Sequence, residues 1–281
     1  MQSKIPHYSN FICGATATAI GIASENINNT LIVERTGLVA NEFIDCYHLG
    51  SADWDSVSTL GGNLKKELLQ RNILTEDGMV HIPAVTPLLF KIIKDLGINT
   101  LFVTEVIEVK KVSAFYEITL HNNSGFQKIT ADNIIDTTSA SVLNPKSTQY
   151  VFSKSINAML HSLEENLFPF NNIEVNANKN VSFDQGRFNK EIILKYALDN
   201  DEDWISARHK LHSYWQNRPT SLEKWSLASI ATTFDIALKD KGPFKIDYNW
   251  NWLPSCAYAN LLKALEIGVE YGERLKGELK V

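Results

Sequence analysis

Cysteine and glycine are scarce in this chain, and it has no block of one charge and no long apolar run. The three cysteines among 281 residues, Cys13, Cys46 and Cys256, lie far apart and show no Cys-x-x-Cys spacing. That argues against a disulfide framework and a structural zinc site and leaves three buried free thiols as the reading. Lysine and arginine total 27 against 32 acidic residues, a formal net charge of -5. Nothing resembles the basic stripe that phosphate backbones require, so nucleic acid is excluded as an expected partner. The opening MQSKIPHYSN carries one lysine and is followed by a short apolar run broken by glycine, threonine and alanine. Neither a secretory signal nor a membrane span is expected, and a cytoplasmic location follows by default. Internal repeats and low-complexity tracts are also missing. What the chain does have is 44% hydrophobic residues, enough to build the core of one large or two modest domains.

Periodicity organises the first half. Residues 10–13 form an apolar run ending at Gly14, residues 15–24 are small residues and isoleucines at helical spacing, and residues 30–33 form a second β-type run closed by Glu34. The pattern predicts strand, tight turn, helix and parallel strand, with a helix of about three turns. Residues 36–62 are irregular and polar, longer than an ordinary connection, as functional loops often are. Short helices are expected at 63–71 and 86–96, the second stopped by Gly97. Strands at 99–104, extending to 109, then 115–120 and 128–136, predict a β-meander that returns to a final parallel strand. After Pro145 the aromatic content rises, with Trp204, Trp215, Trp225, Trp250 and Trp252, and residues 190–215 read as one long helix. Leu261, Leu262, Leu265, Val269 and Leu275 share a stripe on a terminal helix over 257–279. The expected organisation is a discontinuous α/β unit of residues 1–145 plus 245–281, with a substrate or cap domain at 146–244.

The first strand–turn–helix carries the chemistry. Backbone N–H groups at a helix N-terminus, aided by the helix dipole, receive phosphate, and glycine in the preceding turn lets the phosphate approach. An acid at the end of the second strand accepts hydrogen bonds from ribose hydroxyls. Here Gly14-Ala15-Thr16-Ala17-Thr18-Ala19 occupies the turn, and Glu34 follows Gly14 by twenty positions, near the roughly 20-residue separation of a ribose-binding acid. Thr16 stands where the motif has its second glycine, and Ala19 is an accepted substitute at the third. A structural β-α-β unit that uses small residues only for packing remains the alternative on this motif.

Further segments appear in a characteristic order: FICGATATAIGIA, TLIVERTG, GINTLFVTEVIEV with ADNIIDTTSAS, and WLPSCAYANLLKALEIGVEYGERL. In this the chain resembles the FAD-dependent oxidoreductases with a glutathione-reductase-like FAD domain, over residues 9–40, 78–142 and 250–277. The resemblance implies a Rossmann-like FAD-binding fold with a β-meander and an inserted α+β substrate or cap domain, FAD as cofactor and oxidoreductase activity on a small molecule. It assigns the ADP half of the cofactor to Gly14, Thr16, Ala19, Glu34 and Arg35, and the adenine contact to Val106. Thr138 and Ser139 fall in the segment that replaces the family's final Asp-Ala-Thr-Gly-Asp, and Ser255, Tyr258, Asn260 and Leu261 lie at the start of the terminal helix, which points at the flavin. Thr16 and Ser139 put side chains where the family has glycine, and Val39 to Phe43 replace a glycine pair near the flavin. Two alternatives therefore stand beside the FAD enzyme. One is a flavin-free relative serving as a binding or partner subunit, with a homo-oligomer also open. The other is an NAD-dependent Rossmann enzyme, for which Glu34 favours NAD over NADP.

Beyond the cofactor motif, His48 in the long loop after Glu34, with Cys46 and Tyr47 beside it, is the candidate catalytic residue, against a packing cluster as the plainer reading. Cys46 has no second cysteine nearby for dithiol chemistry. His209 and His212, three apart on a helix, lack a third ligand, so no metal site is expected. Tyr248, Trp250 and Trp252 alternate in strand fashion, as a pocket wall or as packing between domains.

Overall fold

A computed structural model describes residues 5–144, 149–163 and 179–278. Strand β1 (His7–Cys13) is fully buried over its last four residues. Alternation along the strand sends Phe11 and Cys13 into one core and Ile12 into another. A strand covered on both faces takes parallel neighbours. These are β2 (Thr30–Val33) and the second half of β6 (Gly125–Asp136), with Cys13 opposite both Val33 and Asp136. The two-residue β3 (Thr100–Leu101) lies outside β2. On the other side β13 (Trp250–Trp252) runs parallel to β6, and β12 (Phe244–Asp247) closes the edge as its antiparallel partner. The resulting order is β12-β13-β6-β1-β2-β3. Strands β4 (Glu105–Val112) and β5 (Phe115–Asn122) join the first half of β6 in an antiparallel meander, so the predicted meander with a final parallel strand is present. The strand expected at 99–104 is cut short, because Val103 turns the chain at a φ of 51° before β4 begins.

Helices α1 (Ala17–Glu25) and α5 (Leu261–Glu278) cover the Ile12 face of this sheet. The small residues of α1 follow from how closely these helices approach. A Cβ on Gly21 would stand 2.2 Å from the Leu265 carbonyl oxygen, and one on Gly268 would stand 2.2 Å from that of Thr18. Helix α2 (Thr59–Gln70) starts four residues before the expected 63 because the Ser58 hydroxyl caps it, accepting from Gly61 N–H at 2.9 Å. Helix α3 (Thr86–Leu96) ends at Gly97, in the left-handed conformation with φ 68°.

The second sheet is antiparallel, in the order β10-β7-β9-β8, from β7 (Val151–Ser162), β8 (Val181–Gln185), β9 (Glu191–Leu198) and β10 (Trp225–Ile230), while β11 (Asp235–Leu238) shares the β10 side of β7. Its own core sets Ile156, Leu160, Ile192 and Leu194 against Ala207 and Leu211 of α4 (Trp204–Gln216). Here the sequence reading needs correction. Residues 190–215 are not one helix but strand β9, a turn and helix α4, which starts where Asp203 caps the backbone N–H groups of Ile205 and Ser206. Residues 41–48 tie the two sheets together, through Tyr47 Oη to Ser229 Oγ (2.7 Å) and Thr232 N–H to the Asp45 carbonyl (2.9 Å). All three cysteines are buried and free. No described helix is long and apolar enough to cross a membrane.

Candidate functional site

A cleft of about 450 Å³ opens at the C-terminal ends of β1 and β2, where open α/β sheets take their ligands. It gathers Gly14 and Thr16 from the first turn, Glu34 and Arg35 from the end of β2, Val106 from β4, and Thr138 and Ser139 from the turn after β6. Ile236 of the second sheet, with Thr233 and Phe234 in the segment leading into its strand, closes it.

Gly14 is required at its position. Its φ is +93°, and a Cβ there would meet Thr138 Cγ2 at 2.8 Å. The turn is locked to the end of β6. The Thr137 N–H and hydroxyl both donate to the Cys13 carbonyl at 2.9 Å, and Thr16 Oγ1 donates to Thr137 Oγ1 at 2.8 Å. The Thr16 hydroxyl also accepts from Ala19 N–H at 3.1 Å as the N-cap of α1. The residue that departs from the glycine pattern is thus turned into the protein as a cap. Asp136, completely buried, organises the turn that follows. It accepts from Thr138 N–H and hydroxyl and from Leu143 N–H at 2.6–3.0 Å. Burial nevertheless raises its pKa to about 6.

Glu34 is held by three donors. Its Oε2 accepts from Ala15 N–H at 3.0 Å, and its Oε1 accepts from the Thr36 N–H and hydroxyl, each at 2.7 Å. A carboxylate has about four acceptor positions, which leaves roughly one for a ribose hydroxyl. Arg35 stands exposed beside it.

At the α1 N-terminus the sequence reading missed the residue that matters. Glu42, only 6% exposed, lines the cleft. Its Oε1 accepts from Ala17 N–H at 3.0 Å and from the Ser255 hydroxyl at 2.6 Å. Ser255 Oγ in turn accepts from Thr18 N–H at 3.2 Å. With Thr16 on Ala19, the first three N–H groups of α1 are all taken by side chains of this chain. Burial raises the Glu42 pKa to about 7, with Glu34 adding to the shift against the hydrogen bonds of Ser255 and the Ala17 N–H. Its Oε2 is buried without a hydrogen-bond partner among the described residues, and so is Asn41 Oδ1 in the cleft wall beside it. An unpartnered buried acceptor costs about 1–3 kcal/mol. The one sign in the sequence was an acid set among the apolar residues Val39, Ala40, Phe43 and Ile44. A turn that starts from Ala40, with φ 51°, delivers it to the helix.

The remaining candidates do not line this cleft. Ala19 is buried inside α1. Ser255 reaches the site only through Glu42 and Thr18. Tyr258 donates to the Lys241 carbonyl at 3.2 Å, and burial pushes its hydroxyl up to about 12. Asn260 caps α5, its Oδ1 accepting from Lys263 N–H, while its amide donates to the Ser51 and Asp53 carbonyls; Leu261 opens α5, buried in the main core. His48 Nδ1 lies 2.8 Å from Asp235 Oδ1. Along β11, Asp235 points away from its cleft-lining neighbours Phe234 and Ile236, so His48 sits behind that strand. Asp235 Oδ2 accepts from Asn157 Nδ2 at 3.0 Å and lies 3.5 Å from Lys195 Nζ. Burial pushes the Asp235 pKa up, but His48, Lys195 and Asn157 outweigh it and hold the group at about 2. His209 and His212 are exposed on α4, and Trp250 packs edge-on against Tyr116.

No family model matches the chain, and no curated protein matches it in sequence. Solved structures do match its fold. Glycine oxidase from Geobacillus kaustophilus shares 11% identity at a TM-score of 0.61, covering 97% of this chain and 95% of its own. A flavoprotein/dehydrogenase from Cytophaga hutchinsonii shares 14% identity at 0.60, covering 98% and 79%. Aklavinone-11 hydroxylase, solved as a ternary complex with FAD and aklavinone, shares 10% at 0.59, covering 99% and 63%. The chain therefore has a Rossmann-like α/β fold, shared with solved structures that include an oxidase, a flavoprotein/dehydrogenase and a hydroxylase solved with FAD.

Proposed function

We propose that this chain is a FAD-dependent oxidoreductase acting on a small molecule, with the ADP half of the cofactor in the cleft between Gly14, Glu34 and Val106, in the manner of glutathione-reductase-like FAD domains. The observation that carries the reading is the cleft itself: a turn needing glycine, an acid at the tip of β2 and the start of the meander converge at the strand ends where α/β sheets take nucleotides. The fold neighbours support it, one of them solved with FAD. The residues fit an adenine nucleotide at the Glu34 end, where a carboxylate retains acceptor capacity and Val106 supplies an apolar wall. At the α1 end they fit a diphosphate only with the Glu42 carboxylate withdrawn. When bound, flavin supplies the redox chemistry, and the protein supplies position and shielding.

A second reading, a flavin-free relative acting as a binding or partner subunit, is favoured by one observation: Glu42 and Ser255 already occupy the α1 donors. Reconstitution separates the two. Incubated with excess FAD and desalted, the purified protein is expected to keep a flavin absorption band near one equivalent and to unfold at a higher temperature. A colourless protein with no thermal shift supports the second reading.

A further inference from the structure

We propose that Glu42 is a resident ligand of the α1 N-terminus, and that the diphosphate of an adenine dinucleotide binds this chain in competition with the Glu42 carboxylate. The proposal rests on the cofactor reading of the cleft and concerns what controls its occupancy.

Helix N-termini attract anions through their unpaired N–H groups and the helix dipole. In this chain the anion is already present. Glu42 takes the Ala17 N–H directly and, through the Ser255 hydroxyl, is linked to the Thr18 N–H. Two features make the arrangement replaceable. The first is incompleteness: Glu42 Oε2 is buried in the cleft wall with no donor among the described residues, and so is the neighbouring Asn41 Oδ1. The second is the lack of countercharge, since no described Lys, Arg or His forms a salt bridge with Glu42. The titratable groups that bear on it are Glu34 on β2, Cys46 on its own turn and Cys256 before α5, none of them a cation, while Arg35, the cation that lines the same cleft, stands exposed beside Glu34 and forms no salt bridge with Glu42. A diphosphate entering beside a second negative charge is repelled, and one arriving once that charge is lifted has only a neutral acceptor to displace from the Ala17 N–H.

The test is a fluorescence titration of the full-length protein and its E42Q and E42A variants with FAD, and a calorimetric titration with ADP and with adenosine, at about pH 8. Glutamine keeps the length of the side chain and an acceptor for Ala17 and Ser255, so E42Q serves if E42A unfolds. Removing a unit charge beside the diphosphate is expected to tighten FAD and ADP by about tenfold or more, with uncharged adenosine unchanged within about twofold. Affinity of the wild type for FAD is expected to fall as pH rises through about 7 while that of E42Q stays flat, because Glu42 acquires its charge in that window. Equal FAD affinity in all three proteins, or an equal gain for adenosine, overturns the proposal and leaves the cofactor reading standing. Failure of all three to bind FAD overturns both.

Discussion

Two buried carboxylates, one behind β11 and one at the tip of α1, show how differently this molecule treats the same chemical group. Asp235 is only 8% exposed and Glu42 6%, so both lose the stabilisation of water. Asp235 regains it from His48, Lys195 and Asn157 and is held at about 2. Glu42 has two hydrogen-bond donors but no cation, and burial carries it to about 7. Burial alone does not fix the protonation state; the counter-charge decides. Asp235 belongs to the joint between the two sheets, where Asn157 Nδ2 also donates to the Cys46 carbonyl at 2.7 Å. Glu42 belongs to the cleft, where a poorly satisfied charge leaves room for a ligand. A fully paired acid stabilises a fold, and a half-paired one marks a place that something else can occupy.

The largest effect is expected from breaking the paired side. Asp235→Ala leaves Lys195 and Asn157 facing a buried gap and is expected to destabilise the protein by about 3–5 kcal/mol, measured by urea unfolding at neutral pH. The pKa of Asp235 is depressed in the folded state, so its contribution is present above the unfolded value near 3.8 and is lost as pH falls through about 2. The gap between wild type and variant should close over that window. A loss under about 1 kcal/mol would mean that the network is no better than a surface ion pair.

Glu42 is expected to behave with the opposite sign. Its folded pKa lies above the ordinary value of 4.5, so the stability linked to its protonated form is complete below about 4.5 and is lost as pH rises through about 7. E42Q should therefore be more stable than wild type above about pH 7 by up to about 3 kcal/mol, the advantage vanishing below about pH 4.5. Identical stability-against-pH curves for the two proteins would show that Glu42 is not a buried charge at all.

The two carboxylates also mark the limit of what was legible in the sequence. The β1–α1–β2 unit, the Gly97 stop and the meander could be read because each rests on local signals: periodicity, a turn residue, a cap. Gly14 and Glu34 could be placed at the cleft because they sit at the ends of β1 and β2, which local patterning sets, whereas Val106 was placed there by the family resemblance. Residues 190–215 were misread because the Ile192, Ile193 and Leu194 run is buried in a strand, and a short apolar run cannot be told from a helix segment by periodicity alone. Glu42 and Asp235 could not be read because their partners come from far away in sequence, Ser255 for one and Lys195 for the other. Asn260, which the family resemblance names from its place at the start of the terminal helix, is a helix cap, a role that the same residue type fills equally well.

The claim that the cleft beside Gly14, Glu34 and Glu42 is where an adenine dinucleotide binds is tested most directly by hydrogen–deuterium exchange of the full chain with and without saturating FAD. The account predicts slowed exchange in peptides covering the turn at Gly14–Thr18, the segment from Glu34 to Glu42 and the start of β4 at Val106, with no change in the α4 peptide carrying His209 and His212. FAD-dependent protection confined to other segments, or none at any of these three, would contradict it.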